Sequence, residues 1–178
     1  MKAVFLDRDG VINKEVNYLH RVEDFEFTEG CIEGLQRFKE KGFQFIVVTN
    51  QAGIAKGYYS ETQYQTLTSW MRNALRKNGI EILDVLHCPH HPDGVVEDLA
   101  IHCACRKPEP GMIITAMARH EIDLTESILV GDKVSDAEAG LRAGIEKCYL
   151  VKTGHDLPTL INDRIEVLEN LIDVANNI

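Results

Sequence analysis

Two aspartates, Asp7 and Asp9, follow an apolar run at Ala3 to Leu6 and flank a single arginine. Carboxylates two residues apart on extended chain return to the same side, so both can face one cleft. Further polar groups stand where other apolar runs end: Thr49 with Asn50, Asp132 with Asp136, and Lys107 ahead of a helical stretch. Ligands of an open parallel sheet gather beyond the carboxyl ends of its strands, so these groups would converge. Carboxylates packed that closely repel one another unless a cation lies among them, and a hard divalent ion bound through oxygen, magnesium, suits the set. Lys107 and the Thr49 hydroxyl could then hold the oxygens of a phosphoryl group. Taken singly, each group has a bland explanation as a turn, a strand end or a helix N-terminus.

A second cluster lies between residues 88 and 105. Cys88 and His90 are followed by Cys103 and Cys105, which together offer three thiolates and one imidazole, an adequate tetrahedral zinc shell. Such an ion would be structural, with no coordination position left for substrate. The alternative is a loop of reduced cysteines tucked beneath the surface with His90 exposed. Cys31 and Cys148 sit in apolar contexts, where a small buried side chain is expected.

The elements that must position these groups alternate. Apolar runs predict strands at Ala3 to Leu6, Phe43 to Val48, Ile82 to Leu86, Ser127 to Val130 and Lys147 to Val151. Helical spacing predicts helices over about Glu29 to Lys41, with Thr28 capping the start, and Ser60 to about Asn78, opened by a capping box. Others are expected over Gly111 to His120 and Asp136 to Ala143, and a covering helix over Ile165 to Ala175, with Leu168, Leu171 and Ile172 facing in. Residues 88 to 106 have no period, and a loop of that length needs another source of order. Strands alternating with helices imply right-handed crossovers and a three-layer α/β/α sandwich with a mainly parallel, Rossmann-like sheet.

The chain has 178 residues, 44% of them hydrophobic and 26% charged, enough for one folded domain spanning 1–178. Nineteen Lys and Arg against 28 Asp and Glu leave a net charge of -9 without a basic block, so nucleic acid is not an expected partner. No run approaches a membrane span and the N-terminal apolar stretch is too short for a signal peptide. A cytoplasmic monomer acting on a small molecule is expected.

Four motifs carry a family resemblance: Phe-Leu-Asp-Arg-Asp-Gly-Val at 5 to 11, Val-Thr-Asn-Gln at 48 to 51, Cys-Arg-Lys-Pro at 105 to 108, and Val-Gly-Asp-Lys at 130 to 133 with Asp136. In this order they resemble the motifs of haloacid-dehalogenase-like phosphatases. The resemblance implies Asp7 as the nucleophile that carries the phosphoryl group and Asp9 as the general acid and base. It implies phosphoryl-stabilising roles for Thr49, Arg106 and Lys107, and magnesium held by Asp7, the Asp9 backbone carbonyl and Asp132, with Lys133 and Asp136 as supporting neighbours. The short stretches between motifs imply that no large cap domain is present. Cys88-Pro-His-His-Pro, Cys103-Ala-Cys-Arg-Lys-Pro and Lys152-Thr-Gly resemble a zinc-binding subgroup that acts on heptose 1,7-bisphosphate or histidinol phosphate. That implies zinc at Cys88, His90, Cys103 and Cys105, and a small phosphorylated substrate, preferentially a sugar bisphosphate losing its 7-phosphate. Histidinol phosphate is the alternative substrate, and an inactive zinc-stabilised interaction module the alternative of another class. The substrate rim implied by the resemblance is Glu15, Val16, Asn17, Tyr18, Asn50, Gln51, Ala52, Arg106 and Lys107. Ala52 stands where heptose-acting members carry serine.

Overall fold

The continuous apolar run of the first strand decides how the layers form. In the computed structural model, which describes residues 1–178, β1 (Ala3–Leu6) is fully buried, sending Val4 and Leu6 to one face and Ala3 and Phe5 to the other. Both faces must therefore be covered. After α1 (Cys31–Glu40) come β2 (Gln44–Asn50), α2 (Ala52–Ala55), α3 (Glu61–Arg76) and β3 (Asp84–Cys88). The chain continues through α4 (Gly111–His120), β4 (Ile128–Gly131), α5 (Val134–Ala143), β5 (Lys147–Val151), β6 (Ile165–Leu168) and α6 (Leu171–Asn176). All six strands pair in parallel in the order β3-β2-β1-β4-β5-β6.

One core joins Val4, Leu6, Phe45, Val47 and Val130 to Leu35 and Phe38 of α1, Met71 and Leu75 of α3, and Leu171 and Val174 of α6. The opposite core joins Phe5, Ile46, Val48 and Leu129 to Met112, Ile113 and Ala116 of α4 and Ala137 of α5. Each fully buried phenylalanine or leucine contributes about 1.5–3 kcal/mol, so β1, buried on both faces, is firmly held. The arrangement is a three-layer α/β/α sandwich with a Rossmann-like parallel sheet. A loop with one 3₁₀ turn at Val22–Asp24, then α1 and the body of β2, separate Asp9 from Thr49, and no cap domain is inserted there.

Ser60 Oγ accepts from Gln63 N at 3.1 Å, and Gln63 Oε1 accepts from Ser60 N at 2.8 Å, which forms the expected capping box of α3. Two expectations are corrected. The N-cap of α1 is Gly30, in the left-handed region at φ 80°, whereas the Thr28 hydroxyl donates to Val11 O at 2.5 Å and ties two loops together. Residues 165 to 175 are not one helix: Ile165–Leu168 extends the sheet beside β5, and only then does Asn170 cap the short α6 by accepting from Asp173 N at 3.1 Å. A β-branched pair at an open sheet edge outweighs a weak helical spacing there.

Candidate active site

Asp7 N donates to Val130 O at 3.1 Å, so β1 and β4 stay paired up to the point where the chain turns into the cleft. Asp7 is nearly buried, and its Oδ1 accepts from Arg8 N at 2.8 Å and Lys107 Nζ at 3.0 Å. Gly10 then takes φ 87°, and its carbonyl accepts from Thr153 Oγ1 at 2.7 Å. A Cβ here would lie 2.1 Å from Asp132 Oδ2, so glycine is required both by the turn and by the carboxylate packed on it. Asp9, half-buried, lines the cleft.

β2 delivers Thr49, Asn50 and Gln51. Thr49 is buried, and its Oγ1 accepts from Gln51 Nε2 at 2.9 Å. Gln51 also donates to Asp9 Oδ2 at 3.2 Å, and its carbonyl oxygen accepts from the Tyr59 hydroxyl. Asn50 grips the backbone of Lys107 from both sides, accepting from its N–H at 3.0 Å and donating to its carbonyl at 3.2 Å. The Lys107 ammonium thereby reaches the floor of the cleft. There it meets Asp7, Asp136 Oδ1 at 2.7 Å and Val48 O at 2.7 Å.

Asp136 is saturated, because its second oxygen accepts from the amides of Asp132 and Lys133, each at 3.0 Å. Asp132 differs: Oδ2 accepts from His155 N at 3.0 Å and meets His155 Nδ1 at 2.6 Å, while the buried Oδ1 has no partner. Burial and the neighbouring Asp136 push the Asp7 carboxyl well above the ordinary aspartate range, with Lys107 working against them. Burial and Asp136 likewise raise Asp132, to about 6. Burial would raise Asp136 too, but the Lys107 ammonium outweighs it and holds that carboxylate low. Burial disfavours the charged Lys107, yet Asp136 and Asp7 more than compensate and raise its pKa.

Asp7, Asp9, Lys107 and Asp136 open into a cleft of about 480 Å³, whereas Thr49 and Asp132 are fully buried and outside its lining. Of the residues expected from sequence, Glu15, Asn17, Tyr18, Asn50, Gln51, Ala52, Arg106, Lys107 and Lys133 line it with Asp7, Asp9 and Asp136. Asn17 and Tyr18 adopt φ 56° and 63°, a strained pair that turns the rim loop. Val16 lies outside the lining and its side chain is exposed. Lys56, Tyr59, Ser135 and His155 line the cleft without having been singled out in the sequence. Lys56 Nζ donates to Tyr18 Oη at 3.0 Å.

At the end of β3 the second cluster closes. Cys88 Sγ lies 2.9 Å from Cys105 Sγ and 3.5 Å from both Cys103 Sγ and His90 Nδ1. Cys103 and Cys105 are 3.3 Å apart, and His90 Nδ1 is 3.3 Å from Cys105. Four donors thus stand at the corners of a small tetrahedron, slightly tighter than bonds of about 2.0–2.3 Å to zinc would set. The loop is tied to the rim by Ala55 O, which accepts from Val95 N at 2.8 Å and Val96 N at 3.0 Å.

Residues 104–174 match the family model for HAD-hydrolase-like proteins. The whole chain is 58% identical over 178 residues to D-glycero-alpha-D-manno-heptose-1,7-bisphosphate 7-phosphatase of Photorhabdus laumondii, spanning 93% of that relative. The chain belongs to the haloacid-dehalogenase-like phosphatases. It is 42% identical, over 99% of its length and 93% of the relative's, to the D-glycero-beta-D-manno-heptose-1,7-bisphosphate 7-phosphatase of Escherichia coli K12. A crystal structure of D,D-heptose 1,7-bisphosphate phosphatase from B. bronchiseptica, complexed with magnesium and phosphate, superposes with TM-score 0.84 at 30% identity, over 99% of this chain and 97% of that one.

Catalysis by a haloacid-dehalogenase-like phosphatase is magnesium-dependent, and the cleft suits that ion. Asp7, Asp132 and Asp136 each offer an oxygen within 4.8 Å of the others. Asp136 is occupied by Lys107 and two amides, whereas the unpartnered Asp132 Oδ1 is a buried acceptor in need of a cation. Oxygen donors of this kind fit a hard divalent ion.

Proposed function

We propose that this phosphatase removes the 7-phosphate of D-glycero-D-manno-heptose 1,7-bisphosphate, with preference for the α anomer, by way of a phosphoryl group carried on Asp7. The observation that carries the chemistry is Asp7 at the cleft floor, with Lys107 3.0 Å from its Oδ1 and Asp9 facing the same space. The sugar and its anomer rest on the relatives. The P. laumondii relative named for the alpha anomer is 58% identical, against 42% for the E. coli relative named for the beta anomer.

Asp7 attacks phosphorus, forming an oxygen–phosphorus bond as the ester bond to the sugar breaks, and Asp9 gives its proton to the departing alkoxide. Asp9, now a carboxylate, takes a proton from water; the water oxygen bonds to phosphorus, the Asp7 linkage breaks and inorganic phosphate leaves. Thr49 and Lys107, assisted by Arg106, hold the equatorial oxygens as charge spreads over them. Asp7, the Asp9 carbonyl and Asp132 would hold magnesium, whose positive charge would let a phosphate dianion approach a carboxylate. Asp136 keeps Lys107 and the Asp132 and Lys133 amides in register. Glu15, Asn17, Tyr18, Asn50, Gln51, Ala52 and Arg106 contact the sugar or its second phosphate.

The Cys88, His90, Cys103 and Cys105 cluster holds a structural zinc that orders the loop leading into Arg106 and Lys107. The five cysteines form no disulfide, which suits a reducing compartment, and no helix is long and apolar enough to cross a membrane. We assign the protein to the cytoplasm as a monomer, with residues 1–178 acting as one domain.

The test is kcat/KM for phosphate release from both heptose bisphosphate anomers and from histidinol phosphate, with magnesium and with D7N as control. The α anomer is expected to be hydrolysed best, and D7N to abolish turnover. Preference for the β anomer or for histidinol phosphate would overturn the substrate; unchanged activity in D7N would overturn the mechanism.

A further inference from the structure

Arg8 stands between the two reactive aspartates and its side chain has no part in the reaction as described. It is only 1% exposed, and arginine is almost never buried this fully without a partner. The partner is Asp9. Arg8 Nε and Nη2 both donate to Asp9 Oδ1, at 3.1 and 2.9 Å, and Asn13 Nδ2 adds a third bond to the same oxygen at 3.1 Å. Nη2 also donates to Leu19 O at 3.1 Å, and the guanidinium lies over the Tyr64 ring, 5.9 Å from its centre. The other carboxylate oxygen, Oδ2, accepts only from Gln51 Nε2, at 3.2 Å.

An oxygen facing three N–H donors has no direction left for a proton of its own. Oδ2 has one, and keeps a lone pair for Gln51 when it is protonated. We propose that Arg8 is a positioning residue that decides which oxygen of Asp9 carries the proton. Oδ1 is locked as an acceptor, so Oδ2 delivers the proton as the sugar–oxygen bond to phosphorus breaks, and later collects one from the attacking water. The inference rests on Asp9 being the general acid. Arg8 is itself anchored to the nucleophile's turn: its amide donates to Asp7 Oδ1, and its carbonyl accepts from Val11, Ile12 and Asn13.

Protonation of the leaving group matters for a sugar alkoxide and hardly at all for p-nitrophenolate, and kcat/KM covers only the steps up to its release. The experiment compares heptose bisphosphate with p-nitrophenyl phosphate, with magnesium, in the wild type, R8M, R8K, D9N and the R8M/D9N pair. The ratio of the two kcat/KM values on one sample does not depend on how much of a variant is folded. R8M is expected to lower kcat/KM about 100-fold for the sugar phosphate and less than about 5-fold for the aryl phosphate. R8K, which restores a donor to Oδ1, should recover part of the difference, and R8M should add no further selectivity to D9N. A ratio that shifts in D9N but not in R8M would overturn the proposal alone. A ratio unmoved in D9N would overturn the reading of Asp9 as the acid.

Discussion

Replacing Gly10 with alanine tests the floor of the site with one methyl group. At φ 87° any residue other than glycine is strained, at a cost of about 1–2 kcal/mol. The new Cβ would stand 2.1 Å from Asp132 Oδ2 and 2.6 Å from its Cγ, with the Gly154 Cα at 3.0 Å. Ordinary contact begins near 3.4 Å, so the Asp132 carboxylate must move by about 1 Å. It cannot swing freely, because His155 holds Oδ2 through both its amide and its ring. A displacement of about 1 Å in a positioned group costs on the order of 100-fold in rate. The magnesium concentration for half-maximal activity should therefore rise at least ten-fold and kcat/KM should fall on the order of 100-fold, while Tm drops by roughly 2–8 °C. Titrating magnesium against activity, beside a thermal melt, reads all three. A variant that melts lower yet keeps the wild-type magnesium requirement and kcat/KM within two-fold would refute the assignment of Asp132 to the cation.

Asp132 is raised to about 6, so below that pH the magnesium-free folded protein holds a proton there. That contribution to stability is full below the ordinary aspartate value and is lost as pH rises through about 6. Magnesium should accordingly raise Tm more at pH 8 than at pH 5, and equal shifts would contradict the competition between proton and cation. Burial pushes Cys31 and Cys148 up to about 12, so both should resist iodoacetamide at pH 8 in the folded protein. In the metal-free protein Cys103, where burial is outweighed by hydrogen bonds from Cys105 and the backbone to leave a value of about 7, should be alkylated first; mass spectrometry of peptides checks the order. S60A removes the acceptor that caps α3 and should cost about 1 kcal/mol, a Tm loss of about 2–4 °C, with kcat/KM within two-fold of wild type.

The central strands were legible because their apolar runs are continuous, and a strand buried on both faces can be little else. The polar residues ending those runs could be gathered into one cleft by the rule that parallel sheets bind at their carboxyl edge. What escaped was whatever depended on distant partners. His155 reaches Asp132 from 23 positions away, from the turn that follows α5 and β5. Lys56 and Tyr59 look like surface residues until α2 folds them against the rim. Arg8 carries a residue type that composition rules put in water, and only the pairing with Asp9 explains its burial. The last strand is masked in the sequence because Leu168, Leu171 and Ile172 mimic a helical face. Asn170, with its cap on Asp173, was the local signal that the helix starts later.

Strand β1 is flanked by β2 on one side and β4 on the other, and the second pairing joins Val4 to Ile128. A chain leaving the ribosome can close the first seam once residue 50 has emerged, but Asp7 remains on an open edge until the fourth strand follows. Closing that second seam requires loop closure across more than half of the chain. The nucleophile is therefore synthesised long before the strand that walls it in, and truncated chains ending before β4 leave β1 with a row of unpaired N–H and C=O groups at the centre of what should be the sheet.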